Sequence, residues 1–343
     1  MNQKVRGILL SLVLALVGWQ IGKQFPIIGG PVSSMLLGML VGGILEMFSV
    51  NRDALKPGIQ FTSKKILQLA IILLGFEMNL FRVFEVGRQA LWIMVFTLST
   101  AFIVAYVMGR ALKLDGKMTT LIGVGTSICG GSAIAATAPV IRANDEEVAH
   151  AISTIFLFNV LAALIFPALG RMIGLTDTGF GMWAGTAVND TSSVVAAATT
   201  WSEYAGNNTA LTLATIVKLT RTLMIIPITL FLSIYTNRKA KLACNGEVDE
   251  EPHYSALKIF PWFVLGFVLA ALINTAFSLP VVLSGNLVKL GKFMIAMAMA
   301  AIGFNTNLPK LIRNGLKPIS VGLVCWFTVA VVSLLVQKGL ALW

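Results

Sequence analysis

Charge is scarce in this sequence. Only 12% of its 343 residues are Asp, Glu, Lys or Arg, against 57% hydrophobic, and the mean hydropathy is +0.84. A soluble domain of this size needs far more polar surface, so the composition excludes one and implies an integral membrane protein. Histidine is nearly missing: His150 and His253 fall in loops between apolar runs and cannot assemble a metal site or a catalytic triad. Cysteine is rare as well. Cys129, Cys244 and Cys325 lie in separate segments with no CxxC spacing, which argues against both a zinc site and a disulfide framework. No GxxxxGK phosphate loop occurs, so ATP-driven transport has no motor in this chain. Alternation of apolar and polar residues in runs of about ten is also lacking, and with it a closed β-barrel. Neither a metal nor another cofactor is expected.

What the chain has is a series of charge-free runs, for example 24–45, 89–109, 118–141, 151–170, 259–288 and 318–337. Each is long enough to cross roughly 30 Å of hydrocarbon as a helix. The expected fold class is therefore an all-α polytopic membrane protein with about eleven transmembrane helices, near 8–24, 32–48, 59–80, 90–112, 118–140, 147–172, 179–200, 208–236, 256–279, 282–306 and 317–340. The first run, "ILLSLVLALVGWQIG" after Lys4 and Arg6, has no small-x-small cleavage site behind it and reads as an uncleaved span. The whole of 1–343 forms one transmembrane transporter domain. Its one long polar stretch, "NRKAKLACNGEVDEEPHYSALK" at 237–258, is read as a solvated cytoplasmic loop.

The net charge of +11 follows from basic residues gathering in inner loops, without a nucleic-acid partner. With the N-terminus cytoplasmic, seventeen basic residues fall inside and seven outside; Arg171 counts inside and Arg142 outside. This predicts a multi-pass protein with a cytoplasmic N-terminus, in contact with the lipid bilayer.

Two internal resemblances stand out. "LGFEMNL" at 74–80 returns as "IGFNTNL" at 302–308, at opposite membrane faces, as an inverted repeat requires. "GTSICGGSAIAA" from Gly125 resembles "GTAVNDTSSVVAA" from Gly185, and at the same offset Pro167 falls on Pro227. Eleven spans give this second pair a common orientation, so either a span is miscounted or the match is fortuitous.

The stretch "GVGTSICGGSAIAATAP", 123–139, is apolar yet holds four glycines and a closing proline, a poor recipe for an unbroken helix. In hydrocarbon an interrupted helix is tolerated only within protein or beside a watery cavity. A half-helix starting there would direct unpaired N–H groups inward and favour an anion. The bland alternative is close packing of small-residue faces. Around 185–199 a second break is expected, with Asn189 and Asp190 in apolar surroundings followed by Thr191, Ser192 and Ser193. Lys218 and Arg221, three apart on one helical face, lie deep in their span. There they face a cavity, snorkel, or pair with Asp190. Glu77 sits near a span end, where it is either interfacial or functional.

Taken together, "GTSICGGSAIAATAPVIRA" at 125–143, "GTAVNDTSSVVAAA" at 185–198, "IVKLTRTLMIIP" at 216–227 and "MIAMAMAAIGFNT" at 294–306 resemble the bacterial YeiH-like integral membrane proteins, a family proposed to export sulfate. The resemblance spans nearly the full chain. It implies a polytopic inner-membrane protein that moves sulfate or a related sulfur oxyanion.

The reading is a secondary transporter of a small anion working by alternating access, with an anion channel as the alternative and a membrane-embedded enzyme a distant third. Candidate substrate-binding residues are Gly125, Thr126, Ser127, Cys129, Gly130, Gly131, Ser132, Asn189, Thr191, Ser192, Ser193, Lys218 and Arg221. Asp190 and Glu77 are candidates for a coupling proton or sodium ion. A homo-oligomer is compatible with the sequence.

Overall fold

The computed structural model describes residues 3–25, 28–48, 52–243, 260–306 and 315–343. Among the described residues every regular element is a helix, as expected where backbone groups in hydrocarbon must find partners within their own segment. Eight helices among the described residues are long and apolar enough to cross a membrane. They are α1 (Gln3–Gln24), α2 (Gly30–Met47), α3 (Lys56–Glu77), α4 (Leu80–Ala111), α7 (Asp145–Met172), α10 (Thr209–Leu223, resuming after Met224 as Ile225–Ala243), α12 (Val281–Asn305) and α13 (Leu316–Gly339). Shorter elements complete the set: α5 (Gly116–Ser127), α6 (Gly131–Thr137), α8 (Asp177–Ala187), α9 (Thr191–Ala205) and α11 (Trp262–Phe277). Local signals set the starts. Pro31 sits in the first turn of α2, Asn79 accepts from the Phe81 amide at α4, and a reciprocal Asn144–Glu147 capping box opens α7.

The expected count of about eleven crossings fails at two places. Segments 118–140 and 179–200 do break, but each folds back on itself as a re-entrant hairpin. In hairpin 1 (α5 and α6), Lys117 at the start of α5 donates to the Arg142 carbonyl beyond α6 at 2.8 Å. Twenty-five residues of straight helix would hold those ends roughly 37 Å apart. In hairpin 2 (α8 and α9), Asp177 at the start accepts from the Trp201 indole at 2.7 Å and from Asn207 at 2.8 Å. Phe180 stacks on Trp201 with centroids 4.1 Å apart. Between the hairpins runs α7, whose 28 residues rise about 42 Å, enough to cross the bilayer. The bases of the hairpins therefore lie on opposite faces.

That geometry settles the second internal repeat. The two Gly-Thr motifs are inverted, because each lies in a hairpin that crosses nothing while one full span separates them. Pro167 and Pro227 each sit in the helix that follows its hairpin. It also exchanges two charges: Arg142 belongs with the basic face and Arg171 leaves it, which keeps the seventeen-to-seven balance.

The first repeat is antiparallel too. Ile59 of α3 packs with Phe304 of α12, while Gly291 of α12 lies against Ala70 to Leu74 of α3, so Gly75 and Gly303 stand at opposite ends. Gly303 meets the Met35 carbonyl of α2, and Gly75 meets the Phe267 carbonyl of α11. The pseudo-symmetry thus relates α2 to α11, α3 to α12, α4 to α13, hairpin 1 to hairpin 2 and α7 to α10. The chain visits the second set out of order, with hairpin 2 and α10 before α11 to α13. Asn307 and Leu308 of this repeat lie outside the described residues, as does the polar segment from 244 to 258; residues 237–243 continue α10 as helix instead of opening a loop.

Two bundles result. One holds α1, α2, α3, α11 and α12; the other holds α4, both hairpins, α7, α10 and α13. The second is the polar one, with Thr186 hydrogen-bonded to Ser333 at 2.6 Å and the Trp183 indole donating to the Ala330 carbonyl at 3.0 Å.

Candidate functional site

The two hairpin tips meet in the middle of the hairpin bundle, and the site grows from how each helix stops there. α5 ends at Ser127; the chain reverses through Ile128 and through Gly130, whose φ of +70° suits glycine. α8 ends at Ala187, and Val188 to Asp190 run extended before α9 begins. A helix that stops inside a protein leaves its last carbonyls without partners and its C-terminal end partially negative.

Helix α10 answers both ends at once. Its Lys218 and Arg221, one turn apart, are each 0% exposed. The Lys218 ammonium donates to the carbonyls of Ile128 at 2.7 Å, Val188 at 3.1 Å and Asn189. The Arg221 guanidinium donates through Nε to Ser127 at 2.6 Å, through Nη1 to Thr186 at 2.7 Å and Val188 at 3.2 Å, and through Nη2 to Thr126. Arg221 suits this place because its planar fork reaches several acceptors in fixed directions. Lys218 snorkels nowhere and forms no ion pair with Asp190 within 4 Å.

Both residues thus bond to main chain at the tips. Lys218 gives all three of its donors and Arg221 four of its five to main-chain carbonyls, and neither lines the two tip cavities, so they hold the tips together behind the wall of the site. Lys218 also stands within electrostatic reach of the Asp190 carboxylate.

Asp190 caps α9, accepting from the Ser192 amide at 3.0 Å and from its hydroxyl, while its own N–H donates to Asn159 Oδ1 at 3.2 Å. Two adjoining cavities of about 460 and 560 Å³ reach this point. Of the candidates, Cys129, Ser132, Asp190 and Thr191 line the first, and Gly131, Ser132, Asp190, Thr191 and Ser192 line the second. Gly125, Thr126, Ser127, Asn189 and Ser193 are buried in the hairpin cores instead. Gly125 serves packing, against Ile134 and Ile155. Asn189 and Thr126 stand out: both side-chain atoms of Asn189 and the Thr126 hydroxyl are buried without a hydrogen-bond partner. Such groups are uncommon in folded proteins.

Sequence reasoning missed three residues. Gln68 lines both cavities from α3, Thr222 lines one from α10, and Asn159 lines the other, with its amide between Gly130 and Asp190. The signal was present. Asn159 in "IFLFNVLAALIFP" and Gln68 in "ILQLAIILLG" are lone polar residues in apolar runs, which are costly unless they face partners or a cavity.

Glu77 does not join the site. It accepts from Asn208 at 2.9 and 2.8 Å at the hairpin 2 face, and Lys292 donates to Asn208 Oδ1 at 2.6 Å. Nearby, Glu203 of α9 accepts from the Gly30 amide of α2 at 2.8 Å, tying the bundles together. At the opposite face the second cavity descends between Ser63 and Lys64 of α3 and Ile152 and Phe156 of α7. Access is from the hairpin 1 face, and the hairpin 2 face is bridged.

A family model described as "Conserved hypothetical protein 698" matches residues 6–322. A UPF0324 membrane protein of Streptococcus pyogenes serotype M18 is 54% identical over 344 residues, covering 99% of this chain and 98% of its own. Another from Streptococcus agalactiae serotype V is 52% identical over 347 residues, covering 100% and 99%. A third, from Fusobacterium nucleatum, is 48% identical over 357 residues, covering 100% of both.

Proposed function

The chain belongs to the conserved hypothetical protein 698 family, the YeiH-like UPF0324 membrane proteins, and on that premise we propose that it is a secondary transporter of a small anion. The observation that carries the reading is the meeting of two opposed hairpin tips around two buried cations and one carboxylate, with a cavity open to one face. Opposed re-entrant elements at mid-depth, related by inverted symmetry, are how many carriers place one site within reach of either side. The excess positive charge there selects an anion. Sulfate or a related sulfur oxyanion is the first candidate, following the family resemblance.

In this mechanism the substrate enters from the hairpin 1 face and rests against Ser132, Asn159, Thr191 and Gln68. Lys218 and Arg221 contribute potential through the tips without touching it. Asp190 takes up a proton or sits beside sodium, which offsets substrate charge and couples the two movements. Alternating access comes from displacement of the hairpin bundle against the other, breaking the Glu203–Gly30 bond and the Glu77–Asn208–Lys292 cluster while the opposite cleft closes. The concentration of basic residues makes the hairpin 1 face, and the N-terminus, cytoplasmic, in a bacterial inner membrane.

The test is anion flux in proteoliposomes under imposed proton or sodium gradients. Wild-type protein is expected to show saturable flux that responds to one gradient, and Asp190→Asn to retain binding while losing that response. Large single-channel currents would reassign the protein as a channel. A correctly folded Asp190→Asn protein with unaltered gradient response would remove Asp190 from coupling.

A further inference from the structure

A third cavity, about 830 Å³, lies at the base of hairpin 1 and shares no lining residue with the two at the hairpin tips. We propose that it binds one anionic phospholipid. Its inner wall is apolar, built from Phe102 and Ala105 of α4, Leu114, Ile141 and Leu232 of α10. Its rim carries Arg110, Lys117 and Arg142 beside Asp115, whose carboxyl lies against that of Glu147 just outside the lining. Phe102 lies two turns deeper on α4 than Arg110, roughly 12 Å along the helix. The cavity is therefore a groove that begins among cations and descends into hydrocarbon.

That division matches one kind of occupant. A headgroup phosphate complements Arg110 and Lys117, and acyl chains cover the groove between α4 and α10. A soluble anion would use the rim and leave the apolar wall bare. Arg110 donates to the Tyr106 hydroxyl at 2.7 Å and Lys117 to the Arg142 carbonyl at 2.8 Å, both neutral acceptors. Tyr106 and Tyr235 flank the mouth, at the depth where aromatic residues with a polar tip favour the membrane interface. The site also lies on the face where most of the basic residues gather, the side on which anionic lipid attracts them. Because Lys117 and Arg142 close hairpin 1, a lipid held there bears on the hairpin that lines the transport cavity.

Native mass spectrometry of delipidated protein, titrated with phosphatidylglycerol, phosphatidylcholine or glycerol 3-phosphate, tests this. Phosphatidylglycerol is expected to bind most tightly. The double substitution Arg110→Gln with Lys117→Gln should weaken it about 30-fold, given the usual electrostatic worth of two basic groups near anionic lipid. The control Lys56→Gln with Lys65→Gln removes equal charge from the same face and should change binding less than about 3-fold. Leu232→Trp keeps every charge, fills the groove and should lower lipid binding while sparing glycerol 3-phosphate. Equal losses in the pocket and control variants would overturn the proposal, as would phosphatidylcholine binding as tightly as phosphatidylglycerol. Glycerol 3-phosphate matching the intact lipid would do so too, by making this a soluble-anion site. None of these readouts depends on transport.

Discussion

The two hairpins are one design run in opposite directions, and they differ most where the chain turns. At the position where hairpin 1 has Gly130, hairpin 2 has Asp190. The first turns on a glycine at φ +70° with no side-chain cap on α6; the second brings its own carboxylate to cap α9. Burial differs in the same sense. Nearly every residue from Gly179 to Ser202 is buried, whereas Ser132 and Ala135 of hairpin 1 are exposed to the cavity. Hairpin 2 also holds the other bundle, through Glu203 and Gly30. Hairpin 1 therefore supplies an accessible wall, and hairpin 2 an anchored one carrying the charge. Inverted symmetry fixes where the tips meet, and a single departure from it gives the site a direction.

The strongest way to break this arrangement is to remove what both hairpins share. Arg221→Ala strands carbonyls from both tips, and each buried polar group left unpaired costs about 1–3 kcal/mol. The expected outcome is loss of monodisperse protein by fluorescence-detected size exclusion. Lys218→Met leaves three acceptors unanswered and should destabilise by at least about 3 kcal/mol, read as a large drop in melting temperature. Arg221→Lys keeps the charge but loses the fork, and should fall between wild type and Arg221→Ala. If Arg221→Ala melts like wild type, the tips do not depend on α10.

These consequences also show where the sequence was legible. The membrane class followed from composition alone, since burying every backbone group in hydrocarbon leaves helices as the one solution compatible with unbroken apolar runs. The breaks at Gly130 and at Asn189–Asp190 were visible as residues that stop helices. Their fold-back was not visible, because 22 apolar residues satisfy a membrane equally as one span or as two half-depth helices. What distinguishes the two is a tertiary bond such as Lys117 to Arg142. Two equally deep cations pointed to a site but not to their acceptors, for a carbonyl is present at every residue and leaves no mark in the sequence. The partner of Glu77 was illegible for a related reason: an acid at a span end looks the same whether it serves a coupling ion or accepts from Asn208.

A sharper comparison acts on the turn itself. Gly130→Ala places an L-residue at a left-handed φ, with its new methyl 3.2 Å from Asn159 Nδ2, and should cost about 1–3 kcal/mol. Asp190→Ala removes only a cap and should cost about 0.5–2 kcal/mol. Asp190→Asn keeps the acceptor and should melt close to wild type. Equal melting of Gly130→Ala and wild type would mean that hairpin 1 tolerates the turn chemistry of hairpin 2, and the asymmetry would lose its structural basis.

The smallest effects are expected at the hairpin bases. Asp177 ties hairpin 2 with two side-chain bonds, to Trp201 and Asn207, whereas Asp115 opens α5 by accepting from the Lys117 amide at 2.7 Å. Asp177→Ala should therefore lower stability more than Asp115→Ala. The Asp115 carboxyl is held below its ordinary value, chiefly by that amide. Its contribution is present above the unfolded value of about 3.9 and is lost as pH falls through the lower folded value. Since the group is largely solvated, the loss should stay under about 1 kcal/mol. Comparing Asp115→Asn with wild type across pH 2 to 6 isolates it, because asparagine keeps a capping oxygen and does not titrate. Wild type should converge on the variant in acid and exceed it slightly above about pH 4. A stability gap that instead widens on acidification would show that Asp115 is not the group by which hairpin 1 responds to protons.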